Sequence, residues 1–170
     1  MRAGLTLLAV LALAAQPALA QSKTKPSTTG SAVAALEMCE AFAAGHETIM
    51  DEALDAGWDA YEQEPESPFV KGYDAGRDLP GLGWADLFAL VETYPGKGFG
   101  YCRIDVATPR GSASAVIDAI VGLDRYEGDV VEQDGGVYAS LENDSSLLLT
   151  HFDEYGFVIQ LTTLTPADGE

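Results

Sequence analysis

Histidine is the side chain best suited to acid–base catalysis near neutral pH, and this chain of 170 residues has two, His46 and His151. His151 lies just before Asp153 and Glu154, so a base next to a carboxylate, as a hydrolase would use, is one candidate site. The sequence lacks the Gly-x-Ser-x-Gly motif that would supply a nucleophile for such a base. A histidine at the end of a strand is more often a surface residue. We therefore predict no catalytic residue and keep the His151 hydrolase as an alternative.

Oxygen ligands for calcium are concentrated in residues 124–134, a segment rich in Asp and Glu that also contains glycine. Their spacing differs from the helix–loop–helix calcium motif, which requires acidic residues, a glycine and a terminal glutamate at fixed positions. Whether this acidic segment binds calcium stays open at this point. Two histidines and two distant cysteines do not form a zinc site, and Gly96-Lys97-Gly98 lacks the Gly-Lys-Ser/Thr ending of a phosphate loop. We predict no metal and no cofactor.

Aromatic residues and an arginine occur in the least regular part of the chain, residues 58–83, and immediately after it. Phe69, Tyr73 and Arg77 are four residues apart, so they would share a face if this segment is helical. Such side chains are frequent anchors of protein interfaces, because they bury a large area for little loss of rotamer freedom. The competing interpretation is that they cover an edge of the core. The predicted contact residues are Tyr61, Phe69, Tyr73, Arg77 and Trp84.

Acidic residues dominate the charge: 27 Asp and Glu against 9 Lys and Arg give a formal net charge of −18. A field of this sign repels phosphate backbones and anionic lipid surfaces, so nucleic acid is not expected as a partner. It attracts cationic proteins and peptides, although an acidic surface also keeps an exported protein soluble and monomeric. The leading hypothesis is an exported, non-catalytic binding or inhibitory domain for a cationic protein or peptide. The alternatives are the hydrolase and a small-ligand carrier with a cavity between helices and sheet, and no oligomeric state is indicated.

The N-terminal end of the chain indicates export. Residues 1–20 combine Arg2, an apolar run and small residues before Gln21, which is the pattern of a secretory signal peptide. No later segment is long and apolar enough to predict a membrane span, so we expect a periplasmic or secreted protein. Residues 21–30 are rich in Ser, Thr and Lys and are expected to be a disordered leader. Residues 31–166 are predicted to form a single domain and residues 167–170 a loose tail.

Two cysteines, Cys39 and Cys102, are expected to form one disulfide in an oxidising compartment. Cys39 lies at helical spacing from apolar neighbours such as Leu36 and Phe42. Cys102 alternates with polar residues along a predicted strand and shares its apolar face with Ile104. The bridge would therefore join a helix to a sheet.

Helical periodicity is found in two regions. From Ser31 to Gly57 apolar residues recur every three or four positions, with Gly45 as an interruption, so this region is either one kinked helix or two short ones. A second region runs from Pro109 to Val121, because proline fits a first helical turn and a glycine follows as a C-terminal stop.

The central strand and its partner are predicted from a turn. The Pro-Gly pair between residues 84–94 and 101–106 favours an antiparallel hairpin, although residues 84–91 would also fit a helix. In the second strand of this hairpin, Tyr101, Arg103 and Asp105 share the face opposite the apolar one.

In the C-terminal third of the chain, the spacing of turn residues and apolar segments predicts a meander. After an acidic connector at residues 124–129, three apolar segments at residues 136–142, 145–152 and 157–164 are separated by tight turns. The predicted fold is therefore α+β, with one antiparallel sheet of about five strands made of the hairpin and the meander. Helices are expected to pack on one face of this sheet, joined to it by the disulfide.

Overall fold

The computed structural model describes residues 27–65 and 67–165. The predicted signal peptide at residues 1–20, most of the predicted leader and the predicted tail at residues 167–170 lie outside the described residues. The last three leader residues, 28–30, are helical and not a disordered segment. The helix begins there because Ser27 caps it: the Ser27 hydroxyl accepts a hydrogen bond from the backbone N–H of Gly30 at 3.0 Å.

The first helical region consists of two helices, α1 (Thr28–Ala44) and α2 (Ile49–Asp55). Helix α1 ends at Gly45, which adopts a φ of 69° and donates its N–H to the carbonyl of Phe42. A left-handed residue at this position closes a helix, and glycine adopts it without strain. The glycine that interrupts the sequence pattern therefore separates two helices.

Helix α3 (Ala113–Val121) is shorter at its start than the sequence predicted. The cap is Ser112, whose hydroxyl accepts a hydrogen bond from the backbone N–H of Ala115 at 3.4 Å. Pro109 lies before this cap, outside the helix, because a serine that satisfies a free N–H starts a helix more effectively than a proline further upstream. Gly122 follows the last helical residue, as predicted.

Across residues 27–65 and 67–165 the fold is α+β, with an antiparallel sheet of eight strands and not about five. Their order in the sheet is β1-β2-β3-β4-β8-β7-β6-β5. The predicted hairpin and meander correspond to five of them, and β1, β2 and β5 were missed. The strands are β1 (Asp59–Glu62), β2 (Val70–Leu79), β3 (Gly83–Tyr94), β4 (Lys97–Val106), β5 (Glu127–Gln133), β6 (Gly136–Glu142), β7 (Ser146–Phe152) and β8 (Phe157–Thr165).

Strands β2 and β5 were missed because neither has a continuous apolar alternation. Strand β2 buries Tyr73, Ala75 and Leu79 at alternate positions, but Arg77 interrupts this apolar series and the strand also contains glycines, which are rare in strands. Strand β5 begins within the segment predicted as an acidic connector, residues 124–129, and is exposed at every position. A strand that buries no side chain has no hydrophobic alternation, and β5 is held by backbone pairing with β6.

The topology divides the sheet into two similar halves. The N-terminal half, residues 28–106, contains α1, α2 and the meander β1–β4, and the C-terminal half, residues 113–165, contains α3 and the meander β5–β8. In each half the last strand reaches the centre of the sheet, where β4 pairs antiparallel with β8. The order of helices followed by four strands thus occurs twice, and the strand order is symmetrical about the β4–β8 pair.

The core lies between the sheet and the helices. Helix α1 packs on β3, β4 and β8, and α3 packs on β6 and β7 beside α1. The predicted disulfide is present: Cys39 of α1 and Cys102 of β4 are bonded, with their Cα atoms 5.4 Å apart. The largest fully buried side chains of this layer are Leu36, Phe42, Ile49, Leu79, Leu82, Ile104, Ile117, Ile120, Leu141, Leu148, Phe157 and Ile159.

Hydropathy adds one finding. Among the helices of residues 27–65 and 67–165, none combines the length and apolar character needed to cross a membrane.

Candidate functional site

The face of the sheet that points away from α1 and α3, here called the open face, is the candidate functional site. It is formed by the odd-numbered residues of β1, β4, β5 and β7 and the even-numbered residues of β2, β3, β6 and β8, because cross-strand partners in an antiparallel sheet share a face. Most of the opposite residues of β3, β4, β6, β7 and β8 are buried under the helices. In the part of the chain that the structure describes, no helix packs on the open face.

Aromatic side chains are concentrated in the N-terminal half of the open face. Tyr61 and Trp84 are 58% and 56% exposed, and Phe88 is 37% exposed. Tyr61 lies across from Asp74, and Asp74 lies across from Phe88, so one row runs over β1, β2 and β3. Phe88 also contacts Tyr101 of β4, with ring centroids 6.3 Å apart. These rings form an exposed aromatic surface on a regular sheet.

The centre of the open face contains an arginine that is already paired. The Arg103 Nε and one terminal nitrogen donate to the two carboxylate oxygens of Asp105, each at 2.6 Å, and the other terminal nitrogen donates to Gln160 Oε1 at 3.1 Å. Such a two-point contact is the strongest arginine–carboxylate geometry. Residues 101, 103 and 105 share this face as the sequence predicted, and the positive charge of Arg103 is neutralised within the protein.

The remaining charge on the open face is strongly negative. Among the described residues, its cations are Arg103 and Lys97, which lies at the end of β4. Asp105 is the open-face carboxylate that takes part in an ion pair within residues 27–65 and 67–165. The negative charge of Asp74 also raises the pKa of the Tyr61 hydroxyl. The acidic residues of the open face are Asp59, Asp74, Asp78, Asp86, Glu92, Asp105, Glu127, Asp129 and Glu142.

Three of the predicted contact residues are at the surface of this region. Tyr61 and Trp84 belong to the open face. Phe69 lies just before β2, is 52% exposed and stacks on Tyr94 at the end of β3, with ring centroids 6.1 Å apart. Phe69 therefore lies at the rim of the open face.

The other two predicted contact residues are on the opposite side of the sheet. Residues 70–79 form a strand, so the helical face predicted for Phe69, Tyr73 and Arg77 does not exist. Tyr73 is 3% exposed and packs against Phe42 of α1 with ring centroids 5.3 Å apart, as a core residue. Arg77 points to the same side, near the turn at Gly57. Neither side chain can contact a partner on the open face.

His151 lies on the C-terminal half of the open face. Its ring stacks on Tyr138 with centroids 5.5 Å apart, and the Tyr138 hydroxyl donates a hydrogen bond to Asp153 at 3.0 Å. Among the described residues, no side-chain hydrogen bond joins His151 to Asp153, Glu154 or a hydroxyl group. A histidine base acts through such a bond to its nucleophile. The predicted residues are neighbours, but their geometry is that of an aromatic stack beside a turn.

The acidic segment at residues 124–134 spreads its carboxylates over two sides of the sheet. Glu127 and Asp129 face the open side and Glu132 faces the other, because residues alternate along β5. Within residues 27–65 and 67–165, no group of three or more His, Cys, Asp or Glu side chains is arranged to hold a metal ion. The carrier hypothesis needs a cavity between helices and sheet, and core side chains such as Phe42 and Phe157 occupy that space.

Sequence reasoning missed Asp74, Asp86 and Phe88, which lie on the same open face as Trp84. Both faces of β3 carry apolar residues, so its alternation does not reveal which one is buried. The difference in side-chain size between the two faces of β3 would have indicated which face is buried. The buried face has small residues such as Ala85 and Ala89, which allow α1 to approach the sheet closely, whereas the open face has the large rings.

The chain matches no known family model, and no curated protein and no solved structure is significantly similar to it.

Proposed function

We propose that this protein is an exported, non-catalytic binding protein whose open face receives a basic protein or a basic peptide segment. The observation that carries the proposal is the occurrence, on one face, of exposed aromatic rings and of carboxylates that form no ion pair within residues 27–65 and 67–165. Aromatic rings contribute most of the contact energy in typical interfaces, and charge complementarity selects the partner and speeds association. If the basic surface of the partner contains its active site, the binding protein acts as an inhibitor.

The overall charge supports the same partner. A net charge of −18 attracts a cationic macromolecule over a distance set by the ionic strength. The open face adds local specificity, because its Arg103 is neutralised by Asp105 and leaves the surrounding carboxylates unopposed. A partner that presents arginine or lysine beside apolar groups would complement both features.

Export is part of the proposal and rests on residues 1–20. If these residues act as a signal peptide, the protein recovered from the envelope or the culture medium begins at Gln21, which intact-mass analysis measures directly. A protein recovered from the cytoplasm with residues 1–20 still attached would contradict export without affecting the binding proposal.

The binding proposal is tested with short peptides of equal length that are basic, neutral or acidic. Calorimetry on the protein beginning at Gln21, at about 0.01 M and about 0.15 M salt, is expected to detect the basic peptides, with weaker binding at the higher salt because screening shortens the range of the charges. Absence of binding by every basic peptide at both salt concentrations would refute the proposal.

Two double variants separate specific from general attraction. Asp74→Asn with Asp86→Asn removes charge from the open face, whereas Asp51→Asn with Asp118→Asn removes the same charge from exposed positions on α2 and α3. The open-face pair is expected to weaken binding by about three- to tenfold, since exposed ion pairs contribute up to about 1 kcal/mol each. The helical pair should have a much smaller effect. Equal losses would show that net charge alone attracts the peptides.

A further inference from the structure

Trp84 is held on the open face from two sides. A Cβ atom added to Gly76 would come within 2.7 Å of Trp84 Cζ2, so the indole ring lies directly over this glycine of β2. The indole Nε1 donates a hydrogen bond to Asp86 Oδ1 at 2.9 Å. The ring is nevertheless 56% exposed. One side of the indole therefore rests on the sheet backbone, and the other side is available to a ligand.

Carboxylates surround this ring. Asp78 is the direct cross-strand neighbour of Trp84, and Asp59 and Asp86 lie on either side of Gly76 in the next row. Strands are about 4.8 Å apart, so these carboxylates are within reach of one cationic group placed over the indole. None of them takes part in an ion pair within the described ranges.

We infer that Trp84, Asp78 and Asp86 form an anchoring subsite for an arginine side chain of the partner. This inference rests on the proposed function, because it names the group of the basic partner that the open face recognises. The planar guanidinium stacks on the exposed side of the indole while its N–H groups donate to Asp78 and Asp86. Asp86 can serve both groups, since Trp84 uses one of its oxygens and a carboxylate has two.

Arginine fits this subsite better than lysine. A guanidinium is flat, stacks on an aromatic ring and directs several donors outward, toward carboxylates at the edge of the ring. An ammonium group is a strongly hydrated point charge that gains less from a flat ring. The two other large rings nearby, Tyr61 and Phe88, lie on either side of Asp74 and would contact the apolar parts of the same partner segment.

The inference is tested with two peptides of equal length and charge, one alternating arginine with serine and one alternating lysine with serine. Calorimetry with the chain beginning at Gln21 is expected to give about three- to tenfold tighter binding of the arginine peptide, from the cation–π contribution of the indole. The fluorescence of the protein should change with the arginine peptide. That change reports on Trp84, because Trp58 is only 3% exposed.

Matched variants assign the preference to the subsite. Trp84→Leu keeps an apolar cover over Gly76 but removes the aromatic ring, and it should reduce the affinity for the arginine peptide to that for the lysine peptide. Tyr155→Leu is the control, since Tyr155 is 81% exposed in the turn between β7 and β8. Asp86→Asn should weaken arginine binding more than Asp118→Asn of α3 does.

The outcomes distinguish this inference from the function on which it rests. Equal binding of the two peptides, or an arginine preference that survives Trp84→Leu, would overturn the arginine subsite while the binding function stands. Absence of binding by both peptides would overturn the function as well. An arginine preference that is lost with Trp84→Leu and kept with Tyr155→Leu supports the subsite.

Discussion

The two halves of the sheet share one order of elements but are fastened in different ways. In the N-terminal half, a disulfide joins Cys39 to Cys102, and α1 approaches β4 so closely that a Cβ atom on Gly100 would lie 1.8 Å from the carbonyl oxygen of Ala43. In the C-terminal half, α3 is a short helix and the outer strand β5 is exposed throughout. The N-terminal half is held by the disulfide and by close packing of α1, whereas the C-terminal half ends in β5, which is held by backbone pairing with β6.

Polar contacts attach the start of β5 to α1. Tyr126 is 8% exposed, and its hydroxyl donates a hydrogen bond to Glu40 at 2.9 Å. Arg125 bridges Glu40 at 2.6 Å and Glu37 at 3.0 Å. Burial of the ring, followed by the hydrogen bond to Glu40, raises the pKa of Tyr126 well above its ordinary value. The tyrosine therefore stays a hydrogen-bond donor across the physiological pH range.

This difference in attachment corresponds to a difference in surface chemistry. The rings of Tyr61, Trp84 and Phe88 belong to the more firmly fastened half, whereas the open face of the other half carries Leu147, Leu149 and the stack of Tyr138 on His151. Contact residues placed on rigid elements lose little entropy when a partner binds. The half with the tighter scaffold therefore also carries the exposed aromatic rings of the proposed binding surface. The following variants test that asymmetry.

Removal of the disulfide is expected to have the largest effect. The two cysteines are 63 positions apart, and closure of a loop of this length lowers the free energy of the folded state relative to the unfolded chain by about 4 kcal/mol. The double variant Cys39→Ala/Cys102→Ala should therefore lose about that much free energy of unfolding in urea. Fluorescence of the buried Trp58 follows the transition.

Reducing agent provides the control for the disulfide variant. The wild-type protein should approach the stability of the variant when reduced, and the variant itself should not respond to reductant. A loss of less than about 1 kcal/mol would mean that packing alone fastens the N-terminal half.

Gly100→Ala is expected to have the next largest effect. The new methyl group would overlap the Ala43 carbonyl, so α1 must move away from β4 and expose part of the core. Overpacking of this kind costs about 3 kcal/mol. The matched control is Gly156→Ala, where the nearest atom is the Val106 carbonyl oxygen at an ordinary 3.4 Å. Equal urea midpoints for the two variants would contradict the close seating of α1.

Most of the elements that bury a face were predicted from the sequence. Cys39 and Cys102 pair as expected, and the hairpin, the three-stranded meander and both helical regions are present. The prediction was wrong where side chains carry no burial signal. Strand β5 is exposed on both faces, and in β2 the residues Gly72 and Gly76 replace the large residues that would reveal an alternating strand.

Only part of the candidate site was predicted, again because the secondary structure around it could not be assigned from the sequence. Tyr61 and Trp84 were selected as aromatic contact residues, but the face to which Tyr73 and Arg77 belong depends on whether residues 70–79 are a strand or a helix. The contact of Trp84 with Gly76 also depends on the register of β2 with β3, which pairs residues through backbone hydrogen bonds that any sequence can make. The similar order of elements in the two halves of the sheet was not predicted either, because the two halves share little sequence.

Tyr126→Phe tests the polar attachment of the C-terminal half. The variant removes the hydrogen bond to Glu40 but leaves the ring in place and Arg125 still bound to the carboxylate, so the expected loss is about 1 kcal/mol of unfolding free energy. Tyr155→Phe removes the same hydroxyl from an 81% exposed ring and should change nothing measurable. A loss as large as that of the disulfide variant would contradict the stronger attachment of the N-terminal half.

Asp153→Asn is expected to have the smallest effect, in the turn between β7 and β8. Partial burial acts to raise the pKa of Asp153, but the N–H groups of Tyr155 and Gly156 and the Tyr138 hydroxyl donate to its carboxylate and hold the pKa below its ordinary value. A carboxyl group whose pKa is lower in the folded state stabilises that state above its unfolded pKa of about 3.9. The stabilisation disappears as the pH falls through the folded pKa.

The asparagine side chain retains an oxygen for the turn N–H groups but lacks the charge that strengthens those bonds. The Asp153→Asn variant should therefore be slightly less stable than wild type at neutral pH, and the two urea midpoints should converge as the pH is lowered below about 4. Glu154→Gln removes the same charge from the exposed neighbouring residue, whose carboxylate accepts no hydrogen bond within residues 27–65 and 67–165. If the midpoints of Asp153→Asn and wild type stay equally far apart at every pH, then the charge of Asp153 does not fasten this turn. The turn geometry alone would then hold the end of the C-terminal meander.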